Sequence, residues 1–351
     1  MDSLTHSLVG AALGELILGK RIGKKAMLIG AIAGNAPDID ALMNFFVSDL
    51  DALLWHRGIT HSVFVAAVVG PLLGWLFWFK SGKRFLPGWI ALFTLNLWTH
   101  EFLDTCTMYG TALFMPFSDE RYAFNNIFVV DPIYTLPILV STAVLIFMSG
   151  NNNKRNRVNL IGLAVSSLYM ISTFFSQSIA NNSLAVALQQ KGVSNAETVA
   201  VPTLFNTMLW NVTAKAQGGF WVGYVSVFDT DSAAQLYFIP DNDSLNAAFV
   251  NDRSVQRLAE FTNGFYVLRN HEDRNWFHDL RFGQVQGWSD PNSMFGFSFD
   301  LSPGADNSMV VQQGRIEGLK IPVIKSMWNR MLGRSLVVDT KDPVHGEQHA
   351  H

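Results

Sequence analysis

The sequence predicts a polytopic α-helical membrane domain of about six segments, followed by an α+β, mostly antiparallel-sheet domain outside the membrane. Three observations carry this expectation. Only 15% of the 351 residues are charged and 49% are hydrophobic, against roughly 25% charged in an ordinary soluble protein. The long apolar runs are confined to residues 1–176, whereas 177–351 hold the turn formers and short β-branched and aromatic runs. The basic residues of the first half also gather in alternate loops, as they do in multi-pass proteins.

Taken in order, no basic leader precedes the first apolar run, which already carries Asp2 and His6, so no cleavable signal peptide is expected. Helices are predicted near 4–19, 26–36, 61–79, 86–104, 127–149 and 158–178. The last four are long enough for about 30 Å of hydrocarbon at 1.5 Å per residue. The first two are short, and form either a re-entrant hairpin or a helix that continues past a kink at Pro37. The membrane domain then spans 1–178, a polar connector 179–200, the sheet domain 201–335 and a disordered tail 336–351 with His345, His349 and His351. Within the sheet domain, strands are expected in the runs 220–228, 234–239, 265–269, 295–299 and 314–324. Helices are expected near 243–250 and 253–262, and a hairpin turn at Gly218 and Gly219.

Charge gives an orientation. Lys20, Arg21, Lys24 and Lys25 lie in one loop, Lys80, Lys83 and Arg84 in the next alternate one, and Lys154, Arg155 and Arg157 in the third. Of the basic residues in this half only Arg57 and Arg121 fall opposite, so the clustered face is cytoplasmic. Parity sends the 37–60 loop, the 105–126 loop and the C-terminal half to the outer face. The same face receives Asp2, His6, Asp38, Asp40, His56, His61, His100 and Asp104. A net charge of -3 offers no broad basic surface for nucleic acid, and Cys106, as the lone cysteine, excludes an internal disulfide or a cysteine zinc site.

Carboxylates and imidazoles in lipid-like surroundings call for partners or a metal. In HEFLD, His100 and Asp104 are four apart on one helical face and can bind one ion. In PDID, Asp38 and Asp40 follow a proline, and an extended or turn segment would direct both to one side. In HRGITHS, His56 and His61 flank Gly58, whose freedom at positive φ would let the chain fold back. Asp2 and His6 repeat the four-residue spacing, Asp2 being either a ligand or a group that orients the imidazole. Imidazole and carboxylate without thiolate suit zinc, manganese or iron, and there are donors enough for two ions. Arg57, between two histidines, is placed to grip an anionic oxygen. Asp49 and Asp51 read as a solvated loop, Asp119 to Arg121 as a surface turn, and His271, His278 and Asp279 as satisfied core or surface groups.

The stretches MDSLTHSLVGAALGE, GNAPDID, HRGITHS and THEFLD resemble the membrane-bound metal-dependent hydrolase family (YdjM-like), described as inner-membrane hydrolases and sometimes as LexA-binding; the likeness covers about residues 1–180. That family is similar in ligand pattern to zinc-dependent phospholipase C and the fungal zinc nucleases, although those are soluble and carry a second HxxxD absent here. The resemblance implies His6, Asp38, His56, His61, His100 and Asp104 as metal ligands, with Asp40 a ligand or an outer partner. It also implies a bacterial inner-membrane location.

The expected function is metal-dependent hydrolysis of a phosphoester, with membrane lipids as neighbours and a phospholipid or lipid-linked phosphate as substrate. Asp40 and Arg57 are the catalytic candidates, Arg57 stabilising charge on the phosphoryl oxygens. Two alternatives differ in class. HEFLD resembles HExxH with Asp for the second His, which would make an intramembrane zinc protease with Glu101 as base; or the ligands only brace a non-catalytic scaffold or regulatory protein. Proton-coupled transport is disfavoured, because the polar groups gather at one face.

Overall fold

A computed structural model describes residues 1–150, 152–302, 304, 305, 307 and 321–334. A helical N-terminal region is followed by an antiparallel-sheet region. Helices α1 (Ser3–Ile22) and α2 (Lys25–Gly34) form a tight antiparallel pair. Their backbones touch because glycines face each other. A Cβ on Gly10 would strike the carbonyl of Gly30, and one on Gly34 the carbonyl of His6, the small-residue packing that membrane helices favour.

Of the two expected arrangements the structure has the hairpin, α1 against α2, and past Pro37 the chain does not continue as a kinked α-helix: it tightens into a 3-10 helix, η1 (Pro37–Phe45). Short α3 (Asp49–Trp55) follows, capped by Ser48, so Asp49 and Asp51 sit in a helix turn rather than a loop. A second 3-10 turn, η2 (Ile59–His61), leads into α4 (Val63–Lys80), which packs on α5 (Leu86–Thr105). Asp131 caps α6 (Pro132–Phe147), which therefore starts five residues later than the apolar run predicted.

Helix α7 (Arg155–Gln190) is the largest departure from expectation. The predicted segment 158–178 and most of the predicted connector are one continuous helix of 36 residues. No glycine or proline interrupts residues 177–190, and Ala180, Leu184 and Leu188 bury against Trp210, Val212 and Ala214 of the sheet. Of the six expected segments, α4 and α7 are long and apolar enough to cross a membrane by length and composition, while α2 and α6 are apolar but shorter.

The sheet region opens with β1 (Thr198–Pro202), β2 (Leu209–Ala216), β3 (Gly219–Ser226) and β4 (Leu236–Pro240), an antiparallel meander in that order. The β2–β3 turn falls on Gln217 and Gly218, one residue ahead of the expected pair, with Gly219 already paired to Ala216 as the first residue of β3; both glycines take positive φ. Helices α8 (Asp243–Phe249) and α9 (Arg253–Phe261) precede a second antiparallel sheet of β5 (Tyr266–His271), β6 (Arg274–Asp279) and β7 (Ser298–Asp300). The run 314–324 does not supply a strand over its described part: Ile321–Met331 is a helix, α10, with Pro322 in its first turn, a position where proline's missing N–H is harmless. The rest of that run and the tail at 336–351, with its three histidines, lie outside the described residues.

The two regions are knitted together at the site end. Leu50 of α3 enters a core with Val255, Leu258, Phe277 and Phe299. Met108 and Phe128, from the 106–131 segment, enter another core with Val199, Val201, Phe220 and Val222.

Candidate metal centre

Helix α5 brings His100 and Asp104 one turn apart at its buried C-terminal end. Asp38 and Asp40 come from η1, the turn between α3 and η2 supplies His56 and Arg57, and η2 itself supplies His61. Four donor atoms converge: His61 Nε2, His100 Nε2, Asp38 Oδ1 and Asp104 Oδ2. The two nitrogens are 3.0 Å apart, Asp38 Oδ1 is 3.5 and 3.4 Å from them, and Asp104 Oδ2 is 3.3 and 3.6 Å from them. Donors about 2.0–2.1 Å from a tetrahedral ion would stand roughly 3.3 Å apart. The cluster therefore has the dimensions of a zinc-sized site.

Orientation supports the same reading. His100 Nδ1 donates to the Gly34 carbonyl at 2.7 Å, and His61 Nδ1 faces Thr60 Oγ1 at 3.0 Å and Asp40 Oδ2 at 3.3 Å. Each ring is held from behind, which turns its Nε2 lone pair inward as metal-bound histidines require. Asp104 Oδ2 is buried and accepts no hydrogen bond, although Arg57 Nε lies 3.0 Å away, too poorly aligned to donate. An orphaned carboxylate oxygen aimed among imidazole nitrogens fits a cation.

A second group shares Asp38. Asp38, Asp40 and His56 offer donor atoms within 4.8 Å of one another. His56 keeps 35% of its side chain exposed, so this group forms the mouth. Three donors leave a coordination position free, the pattern of catalytic zinc sites, whereas four close it. In a 3-10 helix, residues two apart leave on different faces, so Asp38 and Asp40 reach this group from two sides of η1 and not from one.

The remaining expected residues divide. His6 stands in neither group: its ring stacks on His100 at 3.7 Å and its Nε2 lies 3.1 Å from Asp104 Oδ1, which also accepts from the Met1 amine. Asp2 is neither a ligand nor a partner of His6. It caps α1, accepting from the Thr5 backbone at 3.0 Å.

Arg57 is buried and committed to the site, Nη1 donating to the Asp104 carbonyl and to Thr107 Oγ1 at 2.6 Å while the guanidinium lies over Tyr109. The fold-back between the histidines falls on Arg57, at φ 61, and not on Gly58, at φ -88; the Asp40 carboxylate holds the strained Arg57 N–H at 3.1 Å. Gly58 is needed for space, since a Cβ there would press on the Trp55 carbonyl.

Arg121, expected in a surface turn, instead reaches inward and donates to the carbonyls of Leu54 and His56, fastening the histidine turn. Glu101 is buried in neither group, and neither of its oxygens has a hydrogen-bond partner among the described residues. Thr60 and Thr107 carry no motif signature of their own; only their adjacency to His61 and Asp104 pointed to them. In the sheet region His271 is exposed at a hairpin tip, His278 bonds Ser298 and Asp279 pairs with Arg281, so these form no cluster.

Protonation follows from this crowding. Burial alone would lower the His61 imidazole, but the carboxylates of Asp104, Asp38 and Asp40 around it outweigh that and raise it to about 10. Burial would likewise raise Asp38 and Asp40, yet the imidazoles of His100 and His61 hold the first, and those of His56 and His61 the second, well below the usual carboxylate range. The raised His61 imidazole holds a proton among the donor atoms, and an ion bound there would have to displace it.

A family profile described as YdjM inner membrane protein matches residues 1–180. Among curated proteins, the chain is similar to "Inner membrane protein YbcI" of Escherichia coli (strain K12), 34% identical over 124 residues, covering 34% of this chain and 69% of that protein. It is also similar to "Uncharacterized protein YfhP" of Bacillus subtilis (strain 168), 26% identical over 276 residues, covering 74% of this chain and 79% of that one. No solved structure matches.

Proposed function

The chain belongs to the YdjM inner membrane protein family, and on that premise we propose that it is a membrane-bound, metal-dependent hydrolase of phosphoester bonds. The observation that carries this reading is a closed four-donor group sharing Asp38 with an open three-donor group. Divalent ions there, zinc with manganese or iron as alternatives, would supply Lewis acidity and a water that ionises near neutral pH. Asp38 would serve both groups. Asp40 steadies His61 and the Arg57 backbone and, with His56, is what a substrate meets at the mouth. Arg57 keeps Asp104 in place and adds positive charge where a phosphoryl group would gather negative charge.

The basic loops at Lys20–Lys25, Lys80–Arg84 and Lys154–Arg157 support a multi-pass inner-membrane arrangement with the centre and the sheet region on the outer, periplasmic side. A site at that level meets phospholipid headgroups or lipid-linked phosphates. The bracing reading has one observation in its favour: His6, Arg57 and His61 all reach Asp104, a network that closes without an ion. Glu101, standing apart from both groups, disfavours the protease reading.

The test is elemental analysis of detergent-purified protein and of the His61→Ala and Asp104→Ala variants, with phosphodiester turnover on the same samples. Bound zinc or manganese, lost in both variants together with turnover, supports the hydrolase. Bound metal with no turnover on any ester supports a metal-bearing brace, and no metal after reconstitution overturns the hydrolase and leaves the brace that closes without an ion.

A further inference from the structure

The helix that carries two of the candidate ligands also carries an apolar face that the protein leaves uncovered. In η1 the side chains repeat every three residues, so Ile39, Leu42 and Phe45 stand in one row. They are 63%, 54% and 80% exposed, and Phe46, which follows the row, is 79% exposed. Asp38 and Asp40 leave the same helix on its other two faces, toward the metal groups. The division is sharp, with ligands inward and a naked stripe of large apolar side chains outward.

Such a stripe is unfavourable in water, and contiguous exposed patches mark contact surfaces. The occupant is indicated by what lies beside it. Helix η1 packs on η2, and η2 runs directly into α4, one of the two helices long and apolar enough to cross a membrane. The outer face of α4 is uncovered too, beginning with Phe64, whose ring meets Phe117, itself 79% exposed, at 5.1 Å. The stripe on η1 and the uncovered face of α4 are thus carried by elements joined through η2, and the exposed Ile59 lies between them in the chain. A helix with aromatic and aliphatic side chains on one face and polar groups on the others is of the kind that lies in the plane of a bilayer surface.

We propose that η1 is an interfacial membrane anchor: its Ile39–Leu42–Phe45 face sinks into the acyl boundary of one leaflet and sets the candidate metal centre level with the lipid headgroups, its mouth open sideways to the bilayer. The anchor itself requires no catalysis. Combined with the hydrolase reading, it makes the substrate an amphiphile that reaches Asp38 and His56 from within the leaflet rather than from bulk water.

The test places a nitroxide at Leu42→Cys, Phe45→Cys and, as an aqueous control, Asp231→Cys, each in a Cys106→Ser background, since Cys106 is fully buried and the only native thiol. The protein is reconstituted in nanodiscs of mixed phosphatidylethanolamine and phosphatidylglycerol, and collision with oxygen is compared with collision with a water-soluble nickel chelate. The anchor requires labels at 42 and 45 to favour oxygen severalfold over the chelate, with the control reversed. Equal or greater access of the chelate at 42 and 45 overturns it. Protection from both probes, with spin–spin broadening that disappears on dilution with unlabelled protein, also overturns it and assigns the stripe to a second copy of the chain. A Phe45→Asp, Phe46→Asp variant separates the two readings. Under the anchor with hydrolysis, it loses turnover of a lipid phosphoester in nanodiscs while keeping turnover of a small soluble phosphodiester. If wild type turns over neither ester, the hydrolase reading fails while the label depths still decide the anchor.

Discussion

His61 and His100 present their Nε2 atoms to each other across 3.0 Å inside the protein, each ring fixed from behind by an oxygen partner. At that separation the two nitrogens share a hydrogen bond, and an ion about 2.0–2.1 Å from each would take the place of its proton. Replacing either histidine by alanine is expected to abolish tight metal binding. Replacing Asp40, which steadies His61, by asparagine is expected to weaken it by about 10–100-fold, as read by competition with a chromogenic chelator. Equal affinity in Asp40→Asn and wild type would show that Asp40 neither ligates nor orients.

Arg155 grips Glu15 with two hydrogen bonds, 2.8 and 2.7 Å, while its Nη1 caps the carbonyls of Leu145 and Met148. Both side chains are buried, so Glu15→Ala leaves a guanidinium without its counter-charge and is expected to destabilise the helical region by about 3–5 kcal/mol. The double variant Glu15→Leu, Arg155→Met should recover most of that loss. Thermal unfolding in detergent measures both.

At the contact between the two regions, apolar and ionic groups should differ sharply. Leu258 is fully buried beside Leu50, and Leu258→Ala is expected to cost about 2–5 kcal/mol. Arg257 meets Asp51 at 2.6 Å on partly exposed surface, and Arg257→Ala should change stability by no more than about 1 kcal/mol, with the difference fading in high salt. A large salt-insensitive effect of Arg257→Ala would contradict this.

Burial, with Arg269 and His271 adding to it, pushes the His278 imidazole down to about 3. The unfolded chain binds that proton near pH 6.5, so between about 6.5 and 3 the unfolded state holds the extra proton and stability rises with pH. The contribution is complete above pH 6.5 and is lost as the pH falls toward 3. Denaturation midpoints across this range should slope less in His278→Gln than in wild type.

What the sequence revealed of the site were its helix-borne parts. His100 and Asp104 follow from a four-residue spacing that any α-helix honours. Asp2 obeys the same spacing relative to His6 and is nevertheless a cap, because its position before the first turn offers it free backbone N–H groups. The backbone twist at Arg57 was assigned to Gly58, since a positive φ on arginine is legible only once Asp40 is seen to stabilise it. Strands β1 and β2 were missed because both are buried on both faces and show no alternation. The end of α7 was missed because its polar residues looked like a linker, while the small and apolar ones among them lie against the sheet.

Helix α7 carries a further consequence. At 1.5 Å per residue its 36 residues reach about 54 Å, well beyond a hydrocarbon layer of about 30 Å. The excess is a rigid shaft keyed into the sheet through Leu184 and Leu188, so the compass heading of the whole sheet region is geared to the rotation of a helix long and apolar enough to cross a membrane. One residue inserted near Asn181 would turn that region by about 100° and pull its core off Leu50, in the very helix that ends beside His56.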